Sequence, residues 1–199
     1  MRLVAVILAA GEGRRMGGPK ALLRLGEETF LARVARGLDR PGVAARVAVV
    51  GHEAARVARE AGLPPEVALA ANPRPAEGML SSILCGLDAA QAAGAEAVLL
   101  HPVDHPLLEA ATVDRVIAAL AGGARIAVPS HQGRRGHPAG FAREAWPALR
   151  AASAERGARQ VLADHPEWVV HVEGGPGCRA GVNTPEDYHR LLDSTAARL

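Results

Sequence analysis

The chain alternates short apolar runs with longer stretches in which apolar residues recur every three or four positions. Leu3–Leu8, Arg46–Val50, Val67–Ala71, Ala97–Leu100, Ala124–Val128 and Trp168–Val172 have the length and the Val, Ala and Leu content of buried strands. Between them lie helical patterns. Phe30–Leu38 puts Leu31, Val34, Ala35 and Leu38 on one face behind a Thr29 cap, and His52–Ala61 is ended by Pro64 and Pro65. A third helix runs to Ala92 from a start that Ser81 and Ser82 can cap, and a fourth, Val113–Leu120, takes Thr112 as its cap. Trp146–Ala163 is helical with a break at Gly157, and a short last helix opens at Thr184-Pro185, with Thr184 as cap and Asp187 in its first turn. This order predicts an α/β fold with a mostly parallel central sheet and helices on both faces. Ligands in such sheets sit beyond the C-terminal ends of the strands. The 199 residues suit one domain of this kind, 1–199, rather than two.

Composition narrows the classes. Apolar residues make up 49% of the chain, yet no run reaches the roughly 18 residues of a membrane span. The N-terminal strand has neither a basic leader region nor a small-residue cleavage site, so a cytoplasmic protein is expected. A formal charge of +2 with scattered arginines argues against nucleic-acid binding. Aromatics are 3%, so a nucleotide base has to be read by backbone and small side chains rather than by stacking. Cys85 and Cys178 are too few and too far apart for a metal knuckle or a disulfide framework, and neither is a candidate nucleophile.

The chemistry concentrates in Leu8–Lys20, LAAGEGRRMGGPK, directly after the first strand. Four glycines there let backbone N–H groups converge on a phosphate, while Arg14, Arg15 and Lys20 supply charge. Lys20 is the chain's only lysine. A compact ammonium on a flexible stem suits a polyphosphate. The dinucleotide fingerprint fails because Met16 stands where its last glycine belongs, and the Walker loop fails at Pro19 and Ala21. A glycine-rich turn with incidental charge is the plain alternative. The stretch resembles the signature L-A-A-G-x-G-x-R-M-G-x-P-K of the MobA-like NTP transferases, which include the molybdenum cofactor cytidylyl- and guanylyltransferases and relatives acting on sugar phosphates. One extra glycine, Gly17 or Gly18, departs from that signature.

The resemblance extends along the chain. Gly78-Met79-Leu80-Ser81-Ser82-Ile83 is similar to the family's segment bordering the nucleotide, although by itself Ser81-Ser82 reads as a capping pair. Asp104, in His101-Pro102-Val103-Asp104-His105-Pro106, stands just past a central strand, where a carboxylate can hold Mg²⁺. The family's metal-binding acid falls there, sometimes as half of a D-x-D pair, but Pro106 takes the place of the second acid. Gly136-His137-Pro138-Ala139-Gly140-Phe141 is similar to an element beside the acceptor, and His137 with His105 is expected on that side. Arg134 and Arg135 either clamp an acceptor phosphate or are solvated loop charges. Gly181–Tyr188 resembles a segment that returns to the active site and makes Asn183 a second metal ligand, a neutral oxygen where the cytidylyl branch has Asp.

The resemblance implies the three-layer, Rossmann-like fold of the nucleotide-diphospho-sugar transferases and a Mg²⁺-dependent nucleotidyl transfer. Leu8, Ala9, Ala10, Gly11, Gly13, Arg15, Lys20, Ser81 and Ser82 would bind the nucleotide. Lys20, Arg15 and Asp104 would carry the catalysis, with Asp104 and Asn183 on the metal. Ala9-Ala10-Gly11, where the guanylyl branch has Ala-Gly-Gly, favours CTP. The acceptor would be a phosphorylated small molecule such as molybdopterin or the molybdenum cofactor, with a protein partner receiving the product. Competing readings are a sugar-phosphate or guanylyl transferase on the same scaffold, a glycosyltransferase, and a nucleotide-binding module without catalysis.

Overall fold

The computed structural model describes residues 1–196. Ten strands and seven helices follow in chain order: β1 Leu3–Ala9, β2 Arg24–Leu25, β3 Glu28–Thr29, α1 Phe30–Gly37, β4 Val43–Val50, α2 Ala54–Glu60, β5 Val67–Ala71, α3 Met79–Ala92, β6 Ala97–Pro102, α4 Ala110–Ala121, β7 Ile126–His131, β8 Arg134–Arg135, β9 Ala139–Ala142, α5 Trp146–Ala151, α6 Ala158–Asp164, β10 Val169–Glu173 and α7 Pro185–Ala196. The main sheet runs β10-β7-β9-β6-β1-β4-β5, with β8 paired to β7. The long strands are parallel, and β9 is antiparallel to both β6 and β7.

β1 is fully buried along its length because both of its faces are covered. Leu3, Ala5 and Ile7 pack with Phe30, Leu31 and Val34 of α1 and with Val113 and Val116 of α4. Val4, Val6 and Leu8 pack against Leu80, Ile83 and Leu87 of α3 and Trp146 of α5. This two-sided burial is why the run is continuously apolar instead of alternating. From β1 the chain crosses to β4 on one side, and β6 lies on the other. The C-terminal ends of β1 and β6 therefore part at the point where the strand order reverses, which leaves a crevice between their loops.

The mostly parallel α/β sheet follows the sequence pattern, with local corrections. Ser81 and Ser82 do not cap α3, which starts at Met79 behind Gly78. Ser81 lies 2.9 and 2.8 Å from the Arg74 and Gly78 carbonyls, and Ser82 is buried. Thr112 is not a cap either. It sits inside α4, where its hydroxyl donates to Glu109 at 3.2 Å and accepts from the Gly175 N–H at 3.1 Å. The expected break at Gly157 is there, since α5 ends at Ala151 and α6 starts at Ala158, whereas the last helix, expected to be short, has 12 residues. Arg134 and Arg135, read as loop residues, form β8, which pairs as a hairpin with the end of β7.

Candidate active site

Two loops close on each other where β1 and β6 part. Gly13 opens the first with φ +62°, and a Cβ there would lie 1.9 Å from the Gly18 carbonyl oxygen. The Gly13 carbonyl accepts from Met16 N–H at 2.7 Å and Gly18 N–H at 3.4 Å, curling the chain tightly before Pro19 turns Lys20 inward. In the second loop the Val103 N–H donates to the Leu8 carbonyl at 3.1 Å, which ties Asp104 to the end of β1. His101 is buried, and a 2.9 Å hydrogen bond between its Nε2 and the His105 carbonyl braces the same loop. A third segment joins through the Val182 N–H, which donates to the Asp104 carbonyl at 2.8 Å. Asp187 fixes that segment by accepting from the Asn183 and Thr184 N–H groups, both at 3.0 Å, while the Thr184 hydroxyl accepts from the Asp187 N–H at 3.2 Å. This reciprocal cap holds Asn183 at the crevice.

These ties bring Lys20, Asp104 and Asn183 to one point. The Lys20 ammonium donates to Asp104 Oδ2 at 2.8 Å and to Asn183 Oδ1 at 2.9 Å. Two hard oxygens that already gather one cation are a donor set suited to Mg²⁺, which takes one or two carboxylate or carbonyl oxygens and completes its shell with phosphates and water. Among the described residues no cluster of three or more His, Cys, Asp or Glu side chains could hold a metal ion.

Beside this point lies a cleft of about 250 Å³, bordered by Leu8, Ala10, Gly11, Gly13, Lys20, Ser82 and Asp104. A second cavity of about 690 Å³ opens next to it and shares Leu8, Met79, Pro102 and Asp104. His105, His137, Arg135 and Asn183 border the larger one. Ala9 faces a separate hollow on the other side of the glycine loop, with Ala10, Gly11 and His52. Arg15 is exposed and borders none of these, and Arg14 is paired with Glu12. Ser81 also lies off the cleft wall. The expected residues are thus gathered into one region except Ala9, Arg15 and Ser81.

The histidines there are neutral at physiological pH. Burial pushes His105 down, burial and the neighbouring His105 push His137 to about 4, and burial drives His101 well below its ordinary value. The His105 and His137 rings are 4.8 Å apart, and the Nδ1 atoms of all three are buried without a partner among the described residues. The acceptor side therefore carries neutral imidazoles, and positive charge comes from lysine and arginine alone.

The sequence reading missed Asn72. It is buried at the end of β5 and donates to Ser81 Oγ at 2.8 Å and Ser82 Oγ at 3.0 Å, while its Oδ1 accepts from the Arg74 N–H at 2.8 Å. This clasp sets where α3 begins. An Asn-Pro pair immediately after an apolar strand is the signal that could have found it.

The family model of the MobA-like NTP transferase domain matches residues 5–169. The chain belongs to this family. A molybdenum cofactor guanylyltransferase of Cereibacter sphaeroides is 39% identical over 70% of the chain and 67% of its own length. One from Rhodobacter capsulatus is 33% identical over 97% of the chain and 96% of its own. Among solved structures, the Mycobacterium sp. strain JC1 homolog of Mycobacterium tuberculosis Rv0371c superposes with a TM-score of 0.83 at 26% identity, covering all of both chains. The family match ends at β10, so the segment carrying Asn183 lies outside it.

Proposed function

We propose that the protein is a Mg²⁺-dependent nucleotidyltransferase that moves a nucleoside monophosphate from its triphosphate onto the phosphate of a molybdenum cofactor, releasing pyrophosphate. The observation that carries this reading is the Lys20 ammonium lying between Asp104 and Asn183 at the mouth of the glycine loop. An acceptor phosphate oxygen attacks the α-phosphorus, a new P–O bond forms, and the bond to the bridging α–β oxygen breaks with its electron pair leaving on pyrophosphate. Such transfers depend on positioning and charge stabilisation, so no side chain has to act as nucleophile. Lys20 neutralises charge building on the α- and β-phosphate oxygens. Arg15, exposed on the same loop, is assigned to the departing pyrophosphate. Asp104 and Asn183 would hold Mg²⁺, which would supply further charge neutralisation for the transfer. The backbone of the loop, with Leu8, Ala10, Gly11 and Gly13, lines the nucleotide.

GTP is the favoured donor, because the relatives of 39% and 33% identity are named guanylyltransferases. A second reading, CTP, rests on Ala9-Ala10-Gly11, where guanylyl enzymes have Ala-Gly-Gly. Incubation with each of the four triphosphates, Mg²⁺ and molybdenum cofactor tests both. Pyrophosphate with GTP supports the first reading and with CTP the second, and release with none of them rejects the transferase.

A further inference from the structure

The glycine-rich segment after β10 lies beyond the family match, yet three of its glycines are fitted to the loop that carries Asp104. A Cβ on Gly181 would stand 2.9 Å from His105 Nε2, one on Gly177 2.0 Å from the Leu107 carbonyl oxygen, and one on Gly175 1.5 Å from Glu109 Oε2. A side chain at any of these positions would lift the segment off the loop. Hydrogen bonds close the contact at both ends. The Val182 N–H donates to the Asp104 carbonyl at 2.8 Å, and the Gly177 N–H donates to Glu109 Oε1 at 3.1 Å. The Thr112 hydroxyl donates to Glu109 Oε2 at 3.2 Å and accepts from the Gly175 N–H at 3.1 Å. Glu109 stands at the N-cap of α4, where a carboxylate ordinarily serves its own helix. Its side chain makes no cap bond and turns instead to a segment 68 residues away.

We propose that Glu109 is a positioning residue for the transfer: by clasping Gly175 and Gly177 to the Asp104 loop, it sets Asn183 beside Asp104. The metal role of Asn183 rests on the transferase reading, whereas the clasp stands on the contacts. Asn183 follows Val182 directly, so the height of the segment above the loop decides whether its Oδ1 lies where the Lys20 ammonium now reaches it at 2.9 Å. Asp187 holds the backbone of Asn183 from the other side. Glu109 borders neither the nucleotide cleft nor the larger cavity, which leaves this segment as its route to the site. Groups that orient a metal ligand are worth about 10–100-fold in metal affinity.

Mn²⁺ alone, titrated into the full chain and followed by electron paramagnetic resonance, tests this. Glu109→Ala should bind Mn²⁺ about tenfold more weakly than the wild type. Glu109→Gln, whose amide oxygen still accepts from Gly177 and whose NH₂ can donate to Thr112, should restore most of the loss. Asn183→Ala should also weaken binding, and Glu109→Ala/Asn183→Ala should bind no more weakly than Asn183→Ala, because both act on one ligand. Where circular dichroism shows Glu109→Ala unfolded, Thr112→Val, the same shape without the hydroxyl, takes its place with a loss in the same direction and the same lack of additivity. No Mn²⁺ binding by the wild type, wild-type affinity in the variant, a Gln variant as weak as the Ala variant, or losses that multiply with Asn183→Ala overturns the proposal. Pyrophosphate release by the wild type is scored separately: coupled losses without release end the transferase reading and leave Glu109 positioning a metal ligand, and release with uncoupled losses does the reverse.

Discussion

Acidification should destabilise this protein through its buried histidines before its carboxylates titrate. His137 is held at about 4 by burial and by His105, against 6.5 ordinarily. Between those values the unfolded chain binds a proton that the folded chain refuses, so stability is intact above pH 6.5 and is lost as pH falls through that window. At pH 5.5 the unfolded imidazole is about nine-tenths protonated and the folded one hardly at all, which amounts to a loss of about 1.4 kcal/mol from His137 alone. His101, driven in the same direction by burial, adds to that loss. Glu28 and Asp114, held low by Arg36 and Arg40, contribute only at lower pH, which makes 5.5 the useful limit. Urea unfolding at pH 7.0 and 5.5 measures the difference. His137→Gln, neutral throughout, should remove about 1.4 kcal/mol of it. A wild type equally stable at both pH values, or a His137→Gln variant with the wild-type dependence, would refute the reasoning.

Other outcomes follow from single contacts. Gly13→Ala forces a Cβ to within 1.9 Å of the Gly18 carbonyl oxygen, so the loop must reopen; thermal stabilisation by GTP and Mg²⁺ should disappear while the protein stays folded by circular dichroism. Gly86→Ala, whose Cβ would meet Val6 at 2.3 Å, overpacks α3 against β1 and should cost about 1–3 kcal/mol in urea unfolding. Asn72→Ala strands the Arg74 N–H and the buried Ser82 hydroxyl, should cost about 1–3 kcal/mol, and should raise KM for the triphosphate by displacing the start of α3.

The inner parallel strands were legible because burial on both faces writes a continuous apolar run into the sequence; β1 falls where the pattern puts it, and so does β5, although at the sheet edge it is mostly exposed. β9 was not. Its four residues, Ala-Gly-Phe-Ala, are too short and too small to show a period, and Gly140 is there because Val116 and Leu120 come within 2.9 and 2.7 Å of where its Cβ would stand. Loop chemistry read through well at Lys20 and Asp104, since a lone lysine after a glycine turn and an acid between prolines are unusual in themselves. Ser81 and Ser82 were misread as caps because the hydroxyls look the same whether they serve the helix or the Asn72 clasp.

The central claim is that Lys20 and Asp104 act as one unit on a triphosphate. The direct test is a cycle of single-turnover pyrophosphate release, with GTP, Mg²⁺ and molybdenum cofactor, by the wild type, Lys20→Met, Asp104→Asn and the double variant. Each single change should slow release by about 10²–10³, and the double variant should be hardly slower than the worse single. Losses that multiply, or a Lys20→Met variant releasing pyrophosphate at the wild-type rate, would contradict the account.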